Sequence, residues 1–231
     1  MNFGKNLQIL RKMTNMTQEE LAEKINVSRQ TISKWELGAI LPEVEKLIEL
    51  SETFHCSVDQ LLKGNMDYRN KAYSDIKIVT VEPFRYISYL VISCEPEEDA
   101  ISHVEGWAKH LNIKNPYIIG WDFPQVSQEQ RNVFHMRGYG AALILEGEQI
   151  PGDLDAEIIS QNRQKYITIT LEKVPDESAF EIIPNAYKAL MTYMAINGIK
   201  EKQDPAILSC YEHEYFDDKG VPFMDIYIAI A

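Results

Sequence analysis

Apolar residues recur at helical spacing as far as residue 62 and at strand spacing from residue 76 onward, and this single change divides the chain. Phe3, Leu7 and Leu10 fall at i, i+4 and i+7 and predict a first helix over Phe3 to Met13. Thr17 and Glu20 form a capping box for a second helix, with Leu21, Ala22 and Ile25 on its inner face. Asn26 ends that helix, Val27 turns inward, and Ser28 is a good N-cap for a third, in which Ile32 and Trp35 face the core. Gly38 sits where a left-handed C-terminal cap is expected. Pro42 is expected at the first position of a fourth helix with Val44, Leu47, Ile48 and Leu50 as its apolar face. Phe54, Val58, Leu61 and Leu62 close the core of a five-helix, all-α domain over residues 1–63. Residues 64–75 are polar and lack clear periodicity, which suits a linker.

Residues 76–231 contain a repeat. The first half runs strand YISYLVISC, acidic helix start EPEEDAISHVEGWAKHL, then NIK-NP-YIIGW and a further strand from Tyr139. The second runs strand YITITLEKV, acidic start PDESAFEIIPNAYKALMTYM, then GIKEKQDP-AILSC and a further strand from Phe223. In each, a helix ends in Ile-Lys, a Pro follows and a strand begins. A β-α-β-β unit taken twice predicts an α+β domain, an antiparallel sheet with helices on one face. The chain is therefore expected to be multidomain.

Charge sharpens this division. The chain carries a net charge of −12, but residues 1–66 hold eight Lys/Arg against nine Asp/Glu, whereas the rest hold fifteen against twenty-six. The acidity belongs to the second part, and Lys5, Arg11, Lys12, Arg29 and Lys34 can form a local basic face on the first. Such a balance favours a specific site over non-specific binding to nucleic acid. No apolar run reaches the ~18 residues of a membrane span, and MNFGKNLQILRKM has no apolar signal core, so a cytoplasmic protein without a membrane partner is expected. Cys56, Cys94 and Cys210 are odd in number and in no C-x-x-C pairing, as free thiols would be.

The outer positions of the third helix are Arg29, Gln30, Ser33 and Lys34. Arg suits guanine O6/N7 and Gln suits adenine N6/N7, both bidentately. Together with Gln18, Ser28 and Thr31 they are the candidate DNA contacts; the competing reading is a solvated face on an ordinary helical hairpin. The surrounding residues favour DNA. LRK at Leu10, TQEELAEKI at Thr17, VSRQTISKWE at Val27, Gly38, LP-(x)5-LIEL at Leu41 and VDQLL at Val58 closely resemble the phage-repressor-type (Cro-like, XRE) helix-turn-helix family over residues 3–62. That resemblance implies a domain working as a homodimer on a palindromic operator.

NPYIIGWDF at Asn115, AYKALMTYM at Ala186, YEHEYF at Tyr211 and VPFMDIYIAI at Val221 give residues 76–231 a resemblance to the gyrase-inhibitory-protein-like (GyrI-like) effector-binding family. The resemblance implies a concave face holding an aromatic cage around a buried glutamate, with lipophilic cations as ligands. A buried carboxylate costs several kcal/mol unless paired, which a delocalised cation offsets, and aromatic faces add about 0.5–2 kcal/mol each. Strand alternation places Leu208, Cys210, Glu212, Glu214 and Phe216 on one face of a strand expected over Ala206 to Phe216. Glu214 best fits the family's glutamate-x-aromatic pattern, with Phe216 where a Tyr is common, and Glu212 is the runner-up; a solvated edge is the alternative for either. Trp121, Tyr139, Tyr187 and Tyr227 are the remaining cage candidates, each also explicable as plain core. Trp107 and Tyr193 are assigned to the core.

The five His are scattered, so neither a metal site nor a cofactor is expected, and G-x-S-x-G, Walker, H-E-x-x-H and dinucleotide-binding motifs are absent from the sequence. The expectation is a non-enzymatic, homodimeric transcription regulator with a cationic or amphipathic small-molecule effector. The alternatives are a tail that docks a protein partner and, as some relatives do, a hydrolase using a pocket glutamate.

Overall fold

The computed structural model describes residues 2–64, 66, 76–146, 154, 156–172 and 179–231. The expected linker at 64–75 lies outside the described residues except for Gly64 and Met66. By its internal contacts the chain divides into two units, Met1–Ile76 with Glu177–Lys200, and Lys77–Asp176 with Glu201–Ala231.

The first unit contains five short helices: α1 (Phe3–Met13), α2 (Gln18–Lys24), α3 (Arg29–Glu36), α4 (Val44–Thr53) and α5 (Val58–Lys63). Local chemistry sets their ends. Thr17 and Glu20 make the expected capping box, and Ser57 with Gln60 makes another at α5. Asn26 (φ 51°) and Gly38 (φ 69°) adopt the left-handed conformation after α2 and α3. Each closes a Schellman motif, with Val27 N–H donating to Ala22 O and Ala39 N–H to Lys34 O, both at 2.9 Å. Pro42 stands two residues before α4, whose N-cap is Glu43, so it precedes the helix instead of opening it.

Phe3, Leu7, Leu10, Leu21, Ile25, Ile32, Trp35, Leu50, Phe54 and Leu61 are buried together in this unit. Fully burying each of the larger aliphatic side chains stabilises by about 1.5–3 kcal/mol. Gly4 permits the close approach of α1 to the end of α3, since a Cβ there would lie 2.6 Å from both Trp35 O and Glu36 O. Of the expected α4 face, Leu47 and Leu50 are buried, but Val44 and Ile48 are 70% and 46% exposed. Asn6, buried and unforeseen, donates to the carbonyls of Leu61 (3.0 Å) and Gly64 (2.7 Å), satisfying the C-terminal end of α5.

The second unit is an eight-stranded antiparallel sheet. Its strands are β1 (Lys77–Val81), β2 (Phe84–Ser93), β3 (Ile118–Phe123), β4 (Arg137–Leu145), β5 (Ile159–Gln161), β6 (Gln164–Glu172), β7 (Cys210–Phe216) and β8 (Pro222–Ala229). The helices α6 (Pro96–His110) and α7 (Gln128–Asn132) belong to this unit; α8 (Ala179–Ile196), the helix of the second repeat, falls in the first. The order β1-β6-β8-β7-β3-β4-β2-β5 contains the repeat as two blocks, β6-β8-β7 and β3-β4-β2, joined through β7 and β3. Residues 206–209 lie before β7 and are fastened by side chains: Tyr166 Oη donates to Leu208 O (2.8 Å) and Leu208 N–H to Gln161 Oε1 (2.9 Å).

The sheet must curl. Between β1 and β2 lie six inter-strand steps, about 29 Å in a flat sheet. Only Glu82 and Pro83 join Val81 to Phe84, a reach of about 11 Å. The inner face is identified by its contacts, since Tyr86 of β2 and Tyr166 of β6 belong to one cluster, against which Val81 and Phe84 pack. The outer face carries α6, where Ala100, Val104 and Ala108 pack against Ile87, Tyr139, Ala141 and Leu143.

Candidate functional site

Two surfaces bring chemistry-bearing side chains together. On the first unit, Ile32 and Trp35 anchor α3 in the core, which turns Arg29, Gln30 and Lys34 to solvent, with Ser33 half-buried. Ser28 and Thr31 are occupied at the helix start: Thr31 N–H donates to Ser28 Oγ at 3.1 Å, and the two hydroxyls are 2.8 Å apart. Gln18 and Arg11 meet a different partner. The Glu36 side chain, 2% exposed, receives Arg11 Nε at 2.6 Å and Arg11 Nη2 at 3.0 Å, and Gln18 Nε2 at 2.8 Å. The bidentate pair joins α1 to the end of α3, and the Gln18 bond joins the start of α2 to the same carboxylate, so that Glu36 links the two helices of the motif.

On the second unit, register assigns each candidate to a face. Tyr211 stands opposite Tyr227, His213 opposite Asp225, and Tyr215 opposite Phe223. Ile119 pairs with His213, which puts Tyr117, Ile119 and Trp121 on the same, concave side. Trp121 lies over Gly140, where a Cβ would come within 2.7 Å of the indole. The rings form two groups on this face, Tyr117 with His213, Tyr215 and Phe223, and Tyr166 with Tyr211 and Tyr227. Tyr117 stacks on His213 with centroids 3.8 Å apart, Tyr211 on Tyr227 at 4.6 Å, and Tyr166 meets both Tyr211 and Tyr227 edge-on. Beside them is a cavity of about 170 Å3 lined by Val81, Phe84, Tyr117, Ile119, Ile144, Glu146 and Tyr211.

Asp225 is a carboxylate on this face. It accepts from Thr170 Oγ1 at 2.6 Å and from Tyr227 Oη at 3.4 Å. Burial, reinforced by the charge of Asp225, holds the hydroxyls of Tyr117, Tyr215 and Tyr227 above the usual tyrosine range. His213 is pushed below the usual histidine range by burial, against the opposing pull of Asp225 and Glu214. Thr168, paired across from Tyr227 on this face, has a buried hydroxyl with no hydrogen-bond partner among the described residues. Such a group costs about 1–3 kcal/mol unless a water or a bound molecule reaches it.

The seven residues expected from the sequence to form a cage divide between faces. Trp121 and Tyr227 are on the concave side. Glu212, Glu214 and Phe216 alternate to the outer side, where Phe216 is 74% exposed at the strand end. Tyr139 is also on the outer side, buried against α6, and its hydroxyl is held above the usual range by burial and by Glu212, Glu97, Asp122 and Glu214. Tyr187 is half-buried on α8 in the first unit. Sequence reasoning passed over Asp225, His213, Tyr117 and Tyr215. The signal was present in YEHEYF, whose Tyr-His-Tyr phase is aromatic where its Glu-Glu-Phe phase is acidic. Among the described residues no group of three or more His, Cys, Asp or Glu could hold a metal ion, and no helix is long and apolar enough to cross a membrane.

Residues 7–61 match the family model described as Helix-turn-helix. The chain is 48% identical over 64 residues to the HTH-type transcriptional activator BcrR of Enterococcus faecalis, covering 28% of this chain and 31% of that one. The chain thus spans about a third of the length of that curated relative. It is 36% identical to the P22 c2 repressor protein solved in complex with a synthetic operator, covering 27% of this chain and 96% of that one, with a TM-score of 0.27. The EcmrR C-terminal domain is similar over 68% of this chain and 96% of that one, at 12% identity and a TM-score of 0.46. Residues 7–61 thus form a domain of the helix-turn-helix family.

Proposed function

We propose that this protein is a homodimeric, one-component transcription regulator. Residues 1–63 form its DNA-reading domain, residues 64–75 link it, and residues 76–231 form an effector-binding domain. Arg29, Gln30, Ser33 and Lys34 of α3 read base edges and phosphates in the major groove of a palindromic operator. The concave face of the sheet takes a small aromatic or lipophilic cation.

The observation that carries the effector reading is the gathering of Tyr117, His213, Tyr211 and Tyr227 on one face beside the carboxylate of Asp225. Electron-rich ring faces and a fixed negative charge favour the same class of ligand. A cavity of about 150 Å3 is enough for one benzene ring, and the concave cavity is of that order. An exposed apolar run supports pairing through the first unit: Leu37, Ile40, Leu41, Val44 and Ile48 are each between 46% and 80% exposed. The effector can act only by binding the DNA-competent and incompetent states unequally.

Selection of the full chain on random duplex DNA, followed by titration of the selected site with and without an aryl quaternary ammonium, tests the whole reading. A palindromic site whose affinity the cation changes is expected. Recovery of no preferred sequence would overturn it.

A further inference from the structure

His213 is a titratable ring on the concave face, in ring contact with Tyr117 and Tyr215. Tyr117 covers one face, stacked 13° from parallel. Tyr215 lies beside it on β7 at 5.2 Å between centroids. Asp225 stands directly opposite on β8, where side chains of a cross-strand pair approach within about 4.5–5.5 Å at Cβ. Thr170 on β6 holds the far side of that carboxylate. Glu214, next in sequence, points to the outer face but acts on the imidazole through its charge. Glu146 lines the cavity together with Tyr117.

We propose that His213 sets the charge selectivity of the concave site: as a neutral imidazole it leaves Asp225 to a cationic ligand, and as an imidazolium it takes that carboxylate for itself and turns the cation away. The inference rests on the reading of the concave face as the effector site. Its physical basis is competition for the negative charge of Asp225 in a half-buried place. Asp225 already receives neutral hydroxyls, among them those of Thr170 and Tyr227, which leave its charge in place. A cation over the tyrosine faces gains from that charge. A second positive charge on the neighbouring strand removes the gain and adds repulsion. Burial favours the neutral ring in the empty site, so the site is set for cations at neutral pH and loses them on acidification. The coupling is reciprocal: a bound cation must in turn make His213 harder to protonate.

The probe is phenyltrimethylammonium, whose own charge does not change with pH. Its affinity for the full chain is measured by isothermal titration from pH 8 to pH 5, with folding followed by circular dichroism. The expected result is binding at pH 7.5 that weakens by up to about tenfold per pH unit once His213 protonates, and no such slope in His213→Gln, whatever that variant's affinity. Proton NMR of the wild-type imidazole C–H signals gives a second readout that needs no folded variant: saturating probe should move the titration of His213 to lower pH. Binding with the same pH profile in wild type and His213→Gln, or a His213 titration indifferent to the probe, overturns the inference and leaves the effector site standing. No binding at any pH overturns the effector reading itself.

Discussion

The guanidinium of Arg11 grips the carboxylate of Glu36 with both arms, at 2.6 and 3.0 Å, although the two residues are twenty-five apart in sequence. Glu36 ends α3, the proposed recognition helix, and its partner lies on α1, whose Phe3, Leu7 and Leu10 are in the core. The pair therefore connects the stability of the first unit to the pose of α3.

Removing one partner should be costly. Arg11→Ala leaves a nearly buried carboxylate without its cation, which typically costs about 3–5 kcal/mol. Thermal unfolding of the full chain should show a marked loss for this variant. Replacing both residues with apolar side chains of similar volume should cost much less. An unchanged melting temperature in Arg11→Ala would show that Gln18 alone suffices for Glu36.

Arg29 and Gln30 should behave in the opposite way. They are exposed, so alanine substitutions should leave unfolding unaltered. Each should cost about 1–3 kcal/mol of operator affinity and relax the base preference at one position. Fluorescence anisotropy on the selected operator and on single-base variants reads both effects.

His213 should leave a signature on stability as well as on ligand selectivity. Its folded-state pKa lies below the ordinary value of 6.5. The folded protein then binds fewer protons than the unfolded chain near that pH. The resulting stabilisation is fully present above about pH 6.5 and is lost as pH falls through the folded-state value. Urea unfolding between pH 7.5 and 5 should show a steeper decline in wild type than in His213→Gln.

The thiols should separate by environment. Burial pushes Cys56 up to about 11, whereas Cys94 is exposed. Only a thiolate reacts quickly, so a disulfide reagent at pH 7.5 should modify Cys94 well before Cys56. Mass spectrometry of partly modified protein gives the order.

Much of this architecture was legible in the sequence because local rules determine it. Thr17 with Glu20, Ser28, Asn26 and Gly38 each mark a helix end through backbone chemistry within four residues. The β-α-β-β repeat was visible because strands and helices differ in period. What escaped was set by distant partners. Nothing near Asn6 announces that it satisfies α5, and nothing near Gln18 announces Glu36. Val44 and Ile48 match the helical period yet remain exposed, because periodicity marks an apolar face without saying what covers it. The cage turned on a question of phase. In a strand one residue separates inside from outside, and the acids of β7 drew attention to Glu212 and Glu214 while the curl turned Tyr211, His213 and Tyr215 inward. The curl itself follows from Glu82 and Pro83 joining β1 to β2, six strand steps away, a relation no local pattern contains.

That phase also moves the carboxylate that matters. From sequence alone, Glu214→Gln is the substitution expected to weaken cation binding; from the sheet register, it is Asp225→Asn. Isothermal titration of phenyltrimethylammonium at pH 7.5 into full-length wild type, Asp225→Asn and Glu214→Gln separates the two most directly. The account expects one site in wild type, at least tenfold weaker binding in Asp225→Asn, and wild-type affinity in Glu214→Gln. Loss of binding in Glu214→Gln with Asp225→Asn unaffected would place the effector on the outer face and contradict the central claim.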